Sequence, residues 1–182
     1  MKGDIMKKLM VILFLAFPLF TLHSQLKTGD NMLGGSLGFW TKGNTPVLGV
    51  SFESEIGGST SGTFGIGGVF RYRGYDEVYN NGNSRNYNFS SLGFQANYNF
   101  TNIGTGEFVP YLGLTLGYNN VSNTYTNKNG GVVGVESYDS GVWLWGQLGA
   151  RYFFSNRVAG NIRVGIGNDD FYPLELGVDF KL

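Results

Sequence analysis

From Leu174 to Leu182 every second residue is apolar (Leu174, Leu176, Val178, Phe180, Leu182), and the residues between them are small or charged (Glu175, Gly177, Asp179, Lys181). A period of two marks a β-strand with one apolar and one polar face. Its length also matches the roughly 9–11 residues that a tilted strand needs to cross a bilayer. The same alternation recurs in segments 33–40, 48–56, 64–73, 92–100, 111–118, 142–154 and 161–167, which brings the total to eight strands. After Gln25 no window carries a helical period or a cap pattern. The polar phase of these segments holds Glu53, Glu55, Arg71, Arg73, Arg151, Arg163, Glu175 and Asp179, together with most of the strand glycines.

The links between strands alternate as well. Segments 57–62, 101–107 and 155–156 are compact, whereas 74–87 and 119–140 are long, and the remaining two links (41–45 and 168–173) are short. Short turns at one end and longer loops at the other form the pattern of an outer-membrane barrel. Each long link contains an Asn-Gly pair, Asn81-Gly82 and Asn129-Gly130. Asn-Gly suits the tight turn of a hairpin, so these links read either as strand pairs that project beyond the membrane or as polar loops. Tyr72, Tyr98, Tyr118, Tyr152 and Trp40 fall near strand ends, where an interfacial aromatic girdle belongs.

Composition supports a lipid-facing exterior. Charged residues make up 14% of the chain and aromatics 16%, against about 25% charged in ordinary soluble domains. The formal charge is zero, so there is no basic field for nucleic acid. Lys7 and Lys8 precede an apolar run from Leu9 to Phe20, and Ser24 follows, which reads as a secretory signal peptide over residues 1–24 cleaved before Gln25. The barrel domain is then residues 25–182, with ten basic and twelve acidic residues and a net charge of −2.

His23, the sole histidine, lies in that signal peptide, and the chain has no cysteine. The mature chain therefore lacks the groups for Ser-His-Asp or Cys-His catalysis and for His-based metal sites. No enzyme activity, metal or cofactor is expected. Gly65-Ile66-Gly67 and Gly165-Ile166-Gly167 precede no helix and so do not make a phosphate loop. Asn168-Asp169-Asp170 reads as a turn rather than a calcium site.

The ending Glu175-Leu176-Gly177-Val178-Asp179-Phe180-Lys181-Leu182 and the segments Pro110–Gly113 and Gly149–Phe153 resemble the small eight-stranded outer-membrane barrels of the OmpA/OmpX type, the porin-like proteins of Gram-negative bacteria. The resemblance implies an all-β, up-and-down antiparallel transmembrane barrel in the outer membrane. It also implies a C-terminal insertion signal (Glu175, Gly177, Phe180, Leu182) read by the barrel-assembly machinery, with Leu182 replacing the family's usual terminal aromatic. Eight strands enclose a bore that side chains can fill, and unpaired charges there would cost several kcal/mol each. The four acids and four arginines of the polar phase are expected to pair, either as a structural filling or as a gate that rearranges to pass water and ions. The long links offer Tyr75, Tyr79, Tyr125 and Tyr138 among asparagines, a composition suited to an extracellular protein or glycan ligand. A structural or surface-interaction protein is the leading reading. The alternatives are a small-solute or ion pore of the same fold and a secreted lipocalin-like barrel with its apolar face turned inward around a ligand.

Overall fold

The computed structural model describes residues 26–39, 45–79, 82–103, 106–127, 129, 131–137, 140–167 and 174–182. The segment 1–24 expected to be a signal peptide, Trp40, Tyr138 and Asn168-Asp169-Asp170 lie outside the described residues. The strands are β1 (Asn31–Phe39), β2 (Pro46–Ser59), β3 (Gly62–Val78), β4 (Ser84–Asn99), β5 (Phe108–Thr126), β6 (Val132–Ser137), β7 (Gly141–Phe153), β8 (Val158–Gly167) and β9 (Leu174–Lys181). Neighbours pair antiparallel around the ring, and β1 pairs with β9 to close it. β5 serves two partners: its first part pairs with β7, from Phe108 to Asn119, and its last part with β6, from Ser122 to Thr126. The barrel therefore has eight strands, and β6 stands outside the ring.

The two long links are largely strand. β3 and β4 stay paired out to Val78 and Ser84, and the link closes through a hydrogen bond from Gly82 N to Tyr79 O, with Gly82 at φ 80°. β5 and β6 form a second hairpin closed by Asn127 N to Gly131 O. The outer parts of β3, β4, β5 and β6 thus make a four-stranded sheet that projects from one end of the barrel (the hairpin end). The opposite end, where the compact links lie, is the turn end.

The partition of side chains inverts that of a soluble protein. Leu92, Leu114, Leu148 and Ile166 are 58–72% exposed on the outside, while Glu53, Arg71, Gln95, Arg151 and Asp179 are buried inside. This excludes the lipocalin-like alternative, because the apolar phase of the strands faces outward rather than into the bore. Tyr98 and Tyr152 lie at the turn end of the outer surface, where Tyr98 packs edge-on against Phe64 and Phe100. Tyr72 and Tyr118 lie toward the hairpin end, 41% and 54% exposed.

The inward phase is not polar throughout: Val47, Val69 and Val121 are buried there as well. At the turn end Leu26, Met32, Val109, Phe153 and Ala159 form a buried apolar floor across the bore. The chain before β1 folds back to supply Leu26. Gly29, at φ 93°, donates to Glu55 O at 2.7 Å, Glu55 N donates to Asp30 O at 2.9 Å, and Asp30 pairs with Lys181 at 2.9 Å.

Close approach explains the glycine at position 67. A Cβ there would lie 1.8 Å from the carbonyl oxygen of Phe52, a backbone atom that cannot move without breaking the β2–β3 pairing. Gly35, on the outer surface, has open space where its Cβ would stand. Gly67→Ala is expected to destabilise the barrel by about 1–3 kcal/mol, and Gly35→Ala to leave stability nearly unchanged. Urea unfolding from lipid vesicles would measure both.

Candidate functional site

All eight charged residues of the polar phase face the interior and are buried, at 1–5% exposure. Each sits on an inward position of a strand whose alternate residues face lipid, so the strand period itself delivers them to the bore. Seven of them fall into two clusters, one above the other.

The cluster nearer the turn end centres on Arg151 of β7. Its Nε donates to Asp179 Oδ2 at 2.7 Å, Nη2 to Glu53 Oε2 at 2.8 Å and Nη1 to Asn99 Oδ1 at 2.8 Å. The guanidinium lies 4.7 Å over the ring of Tyr111. Glu53 also accepts from Asn97 (2.6 Å), Gln95 (3.2 Å) and Asn99 (2.9 Å). The same Asn99 amide reaches Glu55 Oε1 at 2.9 Å, which ties the second glutamate to the cluster. Asp179 accepts from Asn161, and Asn161 accepts from the Tyr111 hydroxyl at 3.0 Å. One arginine thus joins strands on opposite sides of the bore, and Glu53 and Asp179 have amide donors as well as that cation, whereas Glu55 Oε2 is buried without a hydrogen-bond partner. Buried ion pairs persist when hydrogen bonds satisfy them in this way.

The second cluster turns on Glu175. Arg71 Nε donates to Oε1 at 2.5 Å and Arg163 Nε to Oε2 at 2.8 Å. The Arg71 guanidinium stacks 4.3 Å over Trp145 and lies 5.6 Å from Trp143. Two interior glycines make this packing fit. A Cβ on Gly165 would fall 2.0 Å from the Trp145 ring, and one on Gly117 would fall 2.5 Å from Trp143 Nε1. The Nη1 and Nη2 atoms of Arg71 and both indole nitrogens are buried without hydrogen-bond partners.

Arg73 lies one inward step further along β3 and belongs to the projecting sheet. Its guanidinium is 4.4 Å over Phe89 and 4.8 Å over Tyr75. Above it Tyr75 and Tyr87 stack at 4.7 Å and 16°, and Arg85 lies 5.2 Å over Tyr87. The inner face of the sheet is therefore an aromatic stack packed by arginines at both ends. Asn83 donates to the Tyr125 hydroxyl and so joins the tips of β4 and β5.

Of the residues in the expected insertion signal, Glu175 and Gly177 face inward, and Phe180 and Leu182 face outward at 49% and 73% exposure. Charge alone did not single out Gln95, Asn97, Asn99, Tyr111, Gln147, Trp143 or Trp145. Their shared polar phase was the available signal, because every inward position of a filled barrel contributes to the network. Gln147 shows this, donating to Asn97 Oδ1 at 2.5 Å.

No family model matches the chain, and no curated protein does. Solved structures do match. The N-terminal β-barrel domain of Pseudomonas aeruginosa OprF shares 17% identity, with 85% of this chain and 98% of that one covered and a TM-score of 0.53. Neisserial surface protein A shares 15% identity over 84% and 95% of the two chains, TM-score 0.54. Ail, the attachment invasion locus protein of Yersinia pestis, solved in complex with the heparin analogue sucrose octasulfate, shares 14% identity over 84% and 97%, TM-score 0.53. The chain has the fold of these eight-stranded membrane barrels.

Arg151→Ala would leave Glu53 and Asp179 buried without their cation. The expected loss is about 3–5 kcal/mol, read as a lower urea midpoint for unfolding from vesicles. An unchanged midpoint would contradict the central place of Arg151.

Proposed function

We propose that the protein is a non-enzymatic barrel of a Gram-negative outer membrane that presents its projecting sheet to an extracellular protein or glycan. The observation that carries this reading is the four-stranded sheet itself. β2 stops pairing with β3 at Tyr72, and β7 stops pairing with β5 at Asn119, so among the described residues one edge of β3 and one edge of β6 carry no strand partner beyond those points. An open strand edge held clear of the membrane is a template for a partner's strand. Its aromatic inner face adds the ring surface on which sugars and side chains stack. The complex of the similarly folded Ail with a heparin analogue supports a glycan as one class of ligand.

The interior fits the role of a rigid filling. The Arg151 and Glu175 clusters span the bore, and the apolar floor closes its turn end. In this reading the residues of the ion network stiffen the barrel so that the sheet is held at a fixed angle. The sequence Glu175 to Leu182 serves as the signal for the assembly machinery, and the outward residues meet membrane lipid.

Two measurements test the proposal. The barrel refolded in detergent is expected to migrate differently before and after boiling. In a planar bilayer it is expected to stay electrically silent, whereas discrete, reproducible conductance steps would replace this reading with a pore in which Arg151 and Glu53 gate the flow.

A further inference from the structure

The outward face of β3, β4 and β5 changes chemistry along a single line. Phe70, Leu92 and Tyr118 form one cross-strand row, the last apolar row before the hairpin end. The next rows are Tyr72–Ser90–Asn120, Gly74–Asn88–Ser122 and Asp76–Asn86–Thr124. Amides and hydroxyls dominate all three. Among the described residues this face carries no lysine or arginine, and Asp76 is its one charge, because Arg73 and Arg85 lie on the inner face.

A directional ladder runs up these rows. The Tyr72 hydroxyl donates to Asn88 Oδ1 at 2.8 Å, Asn88 Nδ2 donates to Asn86 Oδ1 at 2.6 Å, and Asn86 Nδ2 donates to Asp76. The amides are thus held in one orientation before any ligand arrives, which lowers the ordering cost of binding. The face is continuous with the lipid-contacting surface below it. Three rows extend about 13 Å along the strands, further than the roughly 5–8 Å of headgroup zone on one side of a bilayer.

We propose that this amide–hydroxyl face docks uncharged sugar residues of the glycolipid that surrounds the barrel in the outer leaflet. The inference rests on the outer-membrane reading above, with the hairpin end outward. Continuity with the lipid-facing stripe places the glycolipid headgroup against these rows. The absence of cations and the presence of Asp76 select sugar hydroxyls over phosphates. Ordered amides, each able to donate and accept, match neighbouring hydroxyls on a sugar ring.

The test is NMR of the refolded full barrel in micelles, titrated with oligosaccharide released from lipopolysaccharide and stripped of acyl chains and phosphates. Saturable shifts of the Asn86, Asn88 and Asn120 side-chain amides are expected, insensitive to added salt. Asn88→Ala with Asn120→Ala is expected to weaken binding about tenfold. Asn120→Ala alone leaves every rung of the ladder intact, so it serves if the double variant does not fold, with an expected loss of about threefold. A response only to the phosphorylated oligosaccharide, shifts confined to Tyr75 and Tyr87 on the inner face, or no response would each overturn the proposal. A chain that shows no heat-dependent mobility shift before sugar is added would overturn the membrane reading, and this inference with it.

Discussion

A strand in hydrocarbon has no water to satisfy its backbone, so each N–H and C=O must find another strand. The rest of this structure follows from that demand. Eight strands meet it by pairing in a closed ring, with β1 against β9 and β4 against β5 completing the circuit. Closure then fixes the bore, and a bore of eight strands is narrow enough that side chains must fill it. Residues facing inward are removed from lipid and from bulk water alike. Polar side chains there are stabilised chiefly by one another, as Arg151 is by Glu53, Asp179 and Asn99.

The interior therefore acts as a second layer of cross-links at right angles to the ladder. Backbone bonds join each strand to its neighbours, whereas Arg151 and Arg71 join strands that are not neighbours. Trp145 over Gly165 and Tyr111 against Gly149 show the packing counterpart, in which a large ring on one strand occupies the space a glycine leaves on the next. A barrel braced in this way resists ovalisation, which suits a support for the sheet beyond the membrane.

Legibility in the sequence followed the solvent on each face. Where one face meets lipid and the other the bore, as from Leu174 to Lys181, the period of two is clean and names both faces at once. Above Tyr72 both faces meet water or a polar neighbour, the period fades, and Tyr75-Asp76-Glu77 carries no binary pattern although it is strand. The extent of β3 and β4 and the existence of β6 were for that reason open between hairpin and loop. At the turn end the inward phase becomes apolar at Met32, Val109 and Phe153, which a rule of polar inside and apolar outside does not anticipate. The charged residues were legible by phase. Their division into two clusters was not, because it depends on how far each side chain reaches across the bore.

The first and last strands meet at one place. Asp30 lies just ahead of the first strand and Lys181 near the end of the last, and their ion pair sits beside the β1–β9 seam, with Leu182 N donating to Asn31 O at 2.9 Å. Leu26 is held by Met32 from the first strand together with Phe153 and Ala159 from late strands. The Asp30–Lys181 pair and the Leu182-to-Asn31 hydrogen bond both require β9 in place against β1. The seam therefore makes β9 a clasp: it supplies both the second partner of β1 and the cation that anchors the turn ahead of it, so ring closure and the setting of that turn are one event.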